Sequence, residues 1–173
     1  LLVSDRVAEH LPEFGNRGKE DIRVHHLLTH TSGLPDMLPE NYELRRQHAP
    51  LSGFVRRIFE LEPDFAPGTR VQYQSTGIAL LGEIVERISG MTLPAFLRQE
   101  IFAPLRMGDS RLGVGDLDQS RVAHVTLPEE MRDADWGWNQ PYWWNFGAPW
   151  GGMFTTVSDH FRFCQMFLNG GRW

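Results

Sequence analysis

Few side chains in this sequence are placed for nucleophilic catalysis. A serine nucleophile needs a base within hydrogen-bond reach, and hydrolases encode that geometry as Gly-x-Ser-x-Gly or as Ser-x-x-Lys. Neither pattern occurs among the 173 residues, and the missing Gly-x-Ser-x-Gly turn argues against an α/β-hydrolase. Lys19 is the single lysine and lies in a polar, glycine-containing loop. We therefore expect Lys19 to be a solvated surface charge.

Two histidines have the spacing of a metal-binding helix. His26 and His30 are four residues apart and could face one zinc ion from the same side of a helix. However, Leu27 stands where a His-Glu-x-x-His protease has its glutamate, and no later cluster of carboxylates or histidines completes the ligand set. We therefore expect no metal and no other cofactor. The alternative is that His30 hydrogen-bonds to the nearby backbone of residues 31–33.

Tyr73 is the remaining side chain that could take part in chemistry. It follows the Pro67-Gly68 turn and stands just before the strongest helical pattern in the chain. A tyrosine in this position can present its phenol to a cleft, where the positive end of the helix favours the phenolate. A lone tyrosine is more often an amphipathic packing residue, so spacing alone leaves both interpretations open.

Helical periodicity predicts the elements that would position these side chains. Helices are predicted at residues 24–29, 51–61, 76–89, 92–102 and 158–169. The clearest is 76–89, where apolar residues recur at helical spacing: Ile78, Leu81, Val85 and Ile88. Ser75 or Thr76 can cap its first turn, and Gly90 suits the left-handed residue after its last. The helix at 51–61 is expected to face inward with four residues: Phe54, Val55, Ile58 and Phe59.

The second half of the chain has fewer regular patterns. Alternating side chains predict a strand at residues 122–127. Residues 136–150 hold five of the six tryptophans together with glycine and proline, and are predicted to form an ordered loop. The last helix is expected to bury Phe161, Cys164 and Leu168, which would make Cys164 an inert thiol. The expected secondary structure is therefore rich in helix and poor in strand.

Composition limits the class of protein. With 41% hydrophobic residues the chain can bury one sizeable core, and its net charge of −5 is scattered, without a basic stripe. Nucleic acid is therefore not an expected partner. No apolar run approaches the roughly 18 residues that a membrane span needs, so no membrane segment is expected. The chain begins at Leu1 without a methionine, so any export signal would lie upstream and the compartment is undetermined.

Five segments resemble, in the same order, sequence blocks of the β-lactamase-like serine hydrolases, the superfamily of class C β-lactamases, D-peptidases and esterases. Residues 24–35 resemble the family signature LLTHTSGLP, and residues 65–77 resemble the block PPGxxFxYSNxGY. The other three blocks are at residues 81–86, 101–107 and 151–159. The resemblance covers almost the whole chain and implies an α+β, β-lactamase/transpeptidase-like fold. This chain would supply mostly the helical lobe of that fold, with little strand.

The resemblance also implies a mechanism. In this family a serine from Ser-x-x-Lys attacks a carbonyl carbon, and water later hydrolyses the resulting acyl-enzyme. The tyrosine of the family's Tyr-x-Asn motif lies beside that serine and lysine and relays the proton. Matched to this motif, Tyr73 would be the catalytic tyrosine of a serine hydrolase. Its substrate would be a small molecule with an ester, amide or peptide bond.

Two departures from the family pattern bear on function. Ser-x-x-Lys is expected before Leu1 and a Lys-Thr-Gly-type motif after Trp173. Residues 1–173 are therefore expected to form the central part of a domain and to be inactive alone. Ser75 occupies the position of the family asparagine, which helps to position a substrate amide. Because serine lacks the carboxamide, the substitution places β-lactam turnover in doubt and favours esters or small amides.

Trp150 is the second candidate for substrate binding, beside Ser75. It precedes the Gly151-Gly152 block, where members of the family place a loop that lines the pocket. Trp150 and its neighbours Trp143 and Trp144 could wall an apolar acyl site, or could pin a long loop onto the helical core.

Two functions of other classes also stay open at this point. One is a non-catalytic relative that serves as a binding or sensor module. The other is a metal-dependent hydrolase that uses His26 and His30. An extracytoplasmic location fits the resemblance, but the sequence does not determine the compartment.

Overall fold

The computed structural model describes residues 1–132 and 134–172, and the chain divides into two units between Gly90 and Met91. Asp133 and Trp173 lie outside the described residues. The first unit contains α1 (Val7–His10), α2 (Val24–Leu28), α3 (Asn41–Arg46), α4 (Leu51–Ile58) and α5 (Ser75–Ser89), with a 3-10 turn at Pro12–Phe14. The helices predicted at 24–29, 51–61 and 76–89 are thus confirmed as α2, α4 and α5.

The core of the first unit lies where α5 contacts α1, α2 and α4. Several of its apolar side chains are completely buried: Val7, Leu11, Phe14, Ile22, Leu27, Leu34 and Leu80. The inward face predicted for the helix at 51–61 is confirmed by the burial of Phe54, Val55 and Ile58 in α4 and of Phe59 directly after it. Each such side chain contributes roughly 1.5–3 kcal/mol when it leaves water. This packing fixes the axis of α5, and Tyr73 stands just before its start.

The buried face of α5 differs from the predicted one. The buried residues are small or apolar: Thr76, Gly77, Ala79, Leu80, Gly82 and Ile84. The predicted stripe is only partly covered, and Ile88 at its end is 54% exposed. Close packing favours a face with small residues, a preference that hydrophobic periodicity does not measure. The prediction that Gly90 ends the helix is confirmed by its left-handed backbone, with a φ of 68°.

Lys19 is completely buried, so the prediction of a solvated surface charge is wrong. Its ammonium group donates hydrogen bonds to Asn16 Oδ1 at 2.8 Å and to the Leu61 carbonyl at 2.5 Å. It also lies 5.3 Å from the centre of the Phe14 ring. Burial lowers the pKa of Lys19, and the nearby Arg17 charge lowers it further. The side chain therefore ties the loop after the 3-10 turn to the segment after α4.

The second unit combines short helices with a two-stranded sheet. Its elements are α6 (Leu93–Leu97), a π-helical turn (Arg98–Phe102), β1 (Arg111–Leu112), a 3-10 turn (Gln119–Arg121), α7 (Glu129–Arg132), α8 (Pro141–Phe146), β2 (Met153–Phe154) and α9 (Val157–Leu168). β1 and β2 pair antiparallel, with Arg111 opposite Phe154. The helices predicted at 92–102 and 158–169 are confirmed, although the second half of the first one is π-helical.

Two predictions for the middle of the second unit are wrong. Residues 122–127 do not form a strand. Val125 instead exchanges two hydrogen bonds with the Asn139 carboxamide, each at 2.8 Å, where a strand would pair with neighbouring backbone. A strand needs such a neighbour, which alternation in one segment does not reveal. Residues 136–150 are not wholly a loop, because Pro141–Phe146 form α8.

The last helix, α9, also turns a different face inward. Phe163 and Met166 pack on the buried cluster of Phe102, Leu105 and Met107. The three residues predicted to be buried are exposed instead: Phe161, Cys164 and Leu168. Apolar side chains occur on more than one side of α9, so periodicity alone does not select the inner face. Within the described part of the chain, no helix has the length and apolar character that crossing a membrane requires.

Replacing Lys19 with alanine is expected to lower the free energy of unfolding by about 2–4 kcal/mol. The substitution leaves a cavity beside Phe14 and removes the hydrogen-bond donor from the Leu61 carbonyl. Urea denaturation of the chain measures the loss. The matched control is Arg56→Ala on the exposed side of α4, which should change the free energy by no more than about 0.5 kcal/mol.

The lowered pKa gives Lys19 a pH dependence of known sign. Between its folded-state pKa and the ordinary value of 10.5, the unfolded chain binds more protons at Lys19 than the folded chain does. The stability of the wild-type chain relative to Lys19→Met should therefore rise as the pH increases towards 10.5. A relative stability that falls or stays flat over that interval contradicts the burial of the ammonium group.

Candidate active site

Tyr73 is held on an extended segment directly before α5. Gln74 has a φ of −147° and a ψ of 117°, and an extended residue places both neighbours on the opposite side from its own side chain. Accordingly, Gln74 is completely buried while Tyr73 is 57% exposed. Tyr73 and Ser75 therefore share the outer side of the segment, and the phenol ring does not point into the apolar interior.

The Gln74 carboxamide joins segment 65–77 to segment 24–35. Its oxygen accepts a hydrogen bond from the Ser32 hydroxyl, and its nitrogen donates to the carbonyls of His26 at 3.4 Å and Leu27 at 3.5 Å. The Ser32 oxygen in turn accepts the Leu34 N–H at 3.1 Å. Gln74 and Ser32 are both fully buried, and buried polar groups are costly unless they are paired in this way. The network fixes the end of α2 against the start of α5.

His30 contacts the ring of Tyr73. Its backbone is left-handed, with a φ of 56°, and its carbonyl accepts the Gln72 N–H at 2.8 Å. Nδ1 of His30 accepts the Gln74 N–H at 3.4 Å, so the neutral ring carries its proton on Nε2. The ring centres of His30 and Tyr73 are 4.8 Å apart. The alternative that His30 bonds to residues 31–33 is therefore wrong, because its partner lies 44 residues along the chain.

His26 and His30 bind different parts of the backbone. Nδ1 of His26 accepts the Arg23 N–H at 3.1 Å, at the start of α2. Burial lowers the pKa of His26, and the neighbouring His25 and Arg23 lower it further. Among the described residues, one group has three ligand-type atoms within 4.8 Å of one another: Asp5, Glu9 and His10. That group includes neither His26 nor His30, so the geometry lends no support to the zinc hypothesis.

Asp36 caps α5 from a distant part of the chain. Its Oδ1 accepts hydrogen bonds from the Ser75 N–H at 2.9 Å and from the Ser75 hydroxyl at 2.7 Å. The Thr76 hydroxyl donates to the Pro35 carbonyl at 2.6 Å. The prediction that Ser75 or Thr76 caps α5 is therefore wrong, because the acceptor is a carboxylate 39 residues earlier. A negative charge at this point also stabilises the positive end of the helix.

Three residues around Tyr73 were missed by sequence reasoning: Ser32, Asp36 and Gln74. The available signal was their position, since Ser32 lies within the THTSGLP run, Asp36 directly follows it and Gln74 adjoins Tyr73. The hydrogen bonds that join them to other segments span 39 to 48 residues of the chain. Spacing within one segment cannot reveal such contacts.

Trp150 lies in the second unit, in an aromatic cluster around α8. Its ring meets the Phe146 ring edge-on at 6.0 Å, and Trp143 stacks on Phe146 at 5.6 Å. Tyr142 is 5.5 Å from the same phenylalanine. Trp150 is half-buried, so these contacts leave part of its surface accessible. Its role in substrate binding stays a prediction.

Comparison with known proteins identifies the family. The Beta-lactamase family model matches residues 1–172. The chain belongs to the serine β-lactamase-like family. The predicted fold class is confirmed as an α+β, β-lactamase/transpeptidase-like fold, of which this chain forms mostly the helical lobe with little strand.

Relatives in the β-lactamase-like family include enzymes and penicillin-binding proteins. Penicillin-binding protein 4 of Amycolatopsis lactamdurans is 32% identical over 177 residues, which cover 99% of this chain and 45% of the relative. Esterase EstB of Burkholderia gladioli is 34% identical over 151 residues, covering 78% of this chain and 38% of the esterase. The chain therefore spans less than half the length of these relatives.

Two solved structures have a similar fold. A penicillin-binding protein homologue from Caulobacter crescentus gives a TM-score of 0.77 at 26% identity, covering 99% of this chain and 50% of that one. A family VIII carboxylesterase gives a TM-score of 0.80 at 22% identity, with 99% and 50% covered. At 22% identity, the similarity to the carboxylesterase shows the fold alone.

Gly77→Ala is expected to destabilise the chain by about 1–3 kcal/mol, although alanine is the better helix former by about 1 kcal/mol. A Cβ at Gly77 would lie 2.7 Å from Nε2 and 2.8 Å from Cδ of Gln74, whose carboxamide is pinned by its hydrogen bonds. Thermal and urea denaturation measure the change.

A second helical glycine provides the matched control for Gly77. In α4, a Cβ at Gly53 would meet only ordinary contacts, at 3.7 Å from Ala49 and 3.9 Å from Pro50. Gly53→Ala should therefore stabilise the chain by about 0.5–1 kcal/mol. Equal effects at the two positions would contradict the close packing of Gln74 on α5.

Proposed function

We propose that the protein carrying this chain is a serine hydrolase that cleaves an ester, amide or peptide bond of a small molecule through an acyl-enzyme. The observation that carries the proposal is the exposed Tyr73 ring, which lies against His30 and is anchored through Gln74 at the start of α5. Family membership supports the same reaction type. So do the names of two relatives, an esterase and a penicillin-binding protein, each at least 32% identical to this chain.

Tyr73 is the proposed proton relay. The nucleophilic serine of Ser-x-x-Lys and the Lys-Thr-Gly-type motif are proposed to lie outside residues 1–173, which would then form the central part of the domain. As the serine oxygen bonds to the substrate carbonyl carbon, its proton passes through the side-chain oxygen of Tyr73 to the leaving group. Water afterwards attacks the acyl carbon, and its proton passes through the same oxygen to the serine oxygen as the acyl–serine bond breaks and the acid leaves.

Ser75 and Trp150 are the proposed substrate-binding residues. Ser75 shares the outer side of the extended segment with Tyr73, which is where a substrate would meet both. Serine has no carboxamide with which to hold an acylamino group, so the proposal favours esters and small amides over β-lactams. Trp150 offers the accessible part of its ring to an apolar acyl group.

Tyr73→Phe in the full-length protein is expected to lower kcat by about 10²- to 10⁴-fold, the usual contribution of a positioned proton-transfer group. The ring is exposed, so the free energy of unfolding should change by less than about 0.5 kcal/mol. Tyr42→Phe removes another exposed phenol in the same unit and should keep the wild-type kcat. A Tyr73→Phe protein with wild-type kcat would remove the proposed relay.

Covalent labelling tests where the nucleophile lies. A fluorophosphonate probe should label the full-length protein and leave the isolated 173-residue chain unlabelled, because the proposed serine is outside this chain. Labelling of the isolated chain would make one of its own serines the nucleophile. A full-length protein that resists labelling and hydrolyses no ester would favour the non-catalytic binding or sensor relative.

Trp150→Ala is expected to lower kcat/KM for a 4-nitrophenyl hexanoate about tenfold relative to the acetate. Each buried methylene contributes about 0.8 kcal/mol, so this loss of about 1.4 kcal/mol corresponds to roughly two methylenes of the longer acyl chain losing contact with the ring. Trp138→Ala, another partly exposed tryptophan of the second unit, should leave that ratio unchanged. Steady-state kinetics and melting temperature are measured together. If Trp150→Ala lowers only the melting temperature, Trp150 serves to pack the loop.

A further inference from the structure

The Ser75 hydroxyl donates its proton to a hydrogen bond with Asp36. Ser75 Oγ lies 2.7 Å from Asp36 Oδ1, and the same carboxylate oxygen accepts the Ser75 N–H at 2.9 Å. A carboxylate accepts hydrogen bonds and has no proton to donate, so the hydroxyl must be the donor in this pair. Hydrogen bonds to a charged acceptor are about twice as strong as neutral ones, so a substrate competes poorly for this proton.

The carboxylate of Asp36 is also held in place. The backbone carbonyl of Asp36 accepts the Thr76 N–H at 3.3 Å, and the Pro35 carbonyl accepts the Thr76 hydroxyl at 2.6 Å. The turn that carries Asp36 is thus bound to the first turn of α5 at several points. These contacts hold the backbone of residues 35 and 36 beside Ser75, and the two bonds from Ser75 to Oδ1 hold the carboxylate itself.

Ser75 can therefore offer only oxygen lone pairs to a bound molecule. It is half-buried and lies on the same side of the extended segment as the exposed ring of Tyr73, since the Gln74 side chain points inward between them. An asparagine at position 75 could both donate and accept hydrogen bonds. At this position the hydrogen bond to Asp36 leaves Ser75 with no side-chain donor for a substrate.

We propose that Asp36 fixes Ser75 as a pure hydrogen-bond acceptor, and that the site thereby selects acyl substrates with a hydroxyl or amine donor next to the scissile carbonyl. This inference rests on the proposed hydrolase function. Asp36 acts through Ser75 and is a positioning residue, whereas Ser75 meets the substrate and determines specificity. If Asp36 served only to cap α5, its loss would lower stability and leave substrate preference unchanged.

The test uses the full-length protein and two pairs of 4-nitrophenyl esters of equal size. Hydroxyacetate against propionate measures preference for a donor, and methoxyacetate against butyrate measures preference for an acceptor. Each ratio of kcat/KM is divided by the ratio of the hydroxide-catalysed rates of the same two esters, which corrects for their different intrinsic reactivity. The wild-type protein should prefer the donor about tenfold, roughly the discrimination expected of one hydrogen bond, and should show no preference for the acceptor.

Four variants separate specificity from stability. Ser75→Ala should bring both ratios close to one, and Ser75→Thr, which keeps a hydroxyl, should retain the donor preference. Asp36→Ala frees the Ser75 proton, so the donor ratio should fall several-fold and the acceptor ratio should rise. Thr76→Val removes the bond to the Pro35 carbonyl but keeps the Asp36–Ser75 pair, and is expected to lower stability without changing either ratio.

Distinct results would overturn the inference and the proposed function. A wild-type protein that hydrolyses all four esters without donor preference, or an Asp36→Ala variant that keeps the preference, refutes the inference and leaves the hydrolase intact. If Asp36→Ala fails to fold, as judged by its melting curve, the donor ratios of Ser75→Ala and Ser75→Thr are compared instead. Equal ratios in these two variants refute the inference.

A protein that hydrolyses no ester refutes the proposed function, and binding then tests the inference. The protein is titrated with hydroxyacetamide and with propionamide, and binding is followed by the backbone amide NMR signal of residue 75. This measures the preference for a hydroxyl donor without turnover. A shift with hydroxyacetamide alone, lost in Ser75→Ala, supports the acceptor role. Equal shifts, or none with either amide, overturn it.

Discussion

A buried carboxamide needs partners for both its oxygen and its nitrogen, and this requirement organises the first unit. Gln74 meets it with the Ser32 hydroxyl and with two carbonyls at the end of α2. Leaving such an amide unpaired costs about 1–3 kcal/mol in proteins. Because Gln74 is extended, anchoring its side chain inward turns Tyr73 outward. The exposure of the candidate catalytic ring follows from the burial of its neighbour.

Hydrogen bonds between distant segments, rather than surface ion pairs, hold this region together. Asp36 binds the first turn of α5, and the buried Lys19 binds the Leu61 carbonyl 42 residues away. Exposed pairs such as Arg17 with Glu60, at 2.9 Å, contribute only about 0–1 kcal/mol because water and salt screen them. The charged groups of Lys19 and Asp36 thus serve as hydrogen-bond partners for groups in distant segments.

Helices were easier to predict than the faces they bury. The positions of α2, α4, α5 and α9 follow from apolar periodicity and from cap residues such as Gly90, which act over a few residues. The predicted inner faces of α5 and α9 were wrong, because both helices carry apolar residues on more than one side. The choice between such sides depends on which neighbouring surface fits, and that surface comes from elsewhere in the chain.

The sequence alone determined the family, the helical character of the chain and Tyr73 as the candidate catalytic residue, because these are recorded in local motifs and their order. Only the tertiary structure decided that Lys19 is buried, that His30 lies against Tyr73 and that Asp36 receives the Ser75 proton. Each of these contacts joins residues 39 to 43 positions apart. Local spacing holds no information about such pairs, since they form only when packing brings the segments together.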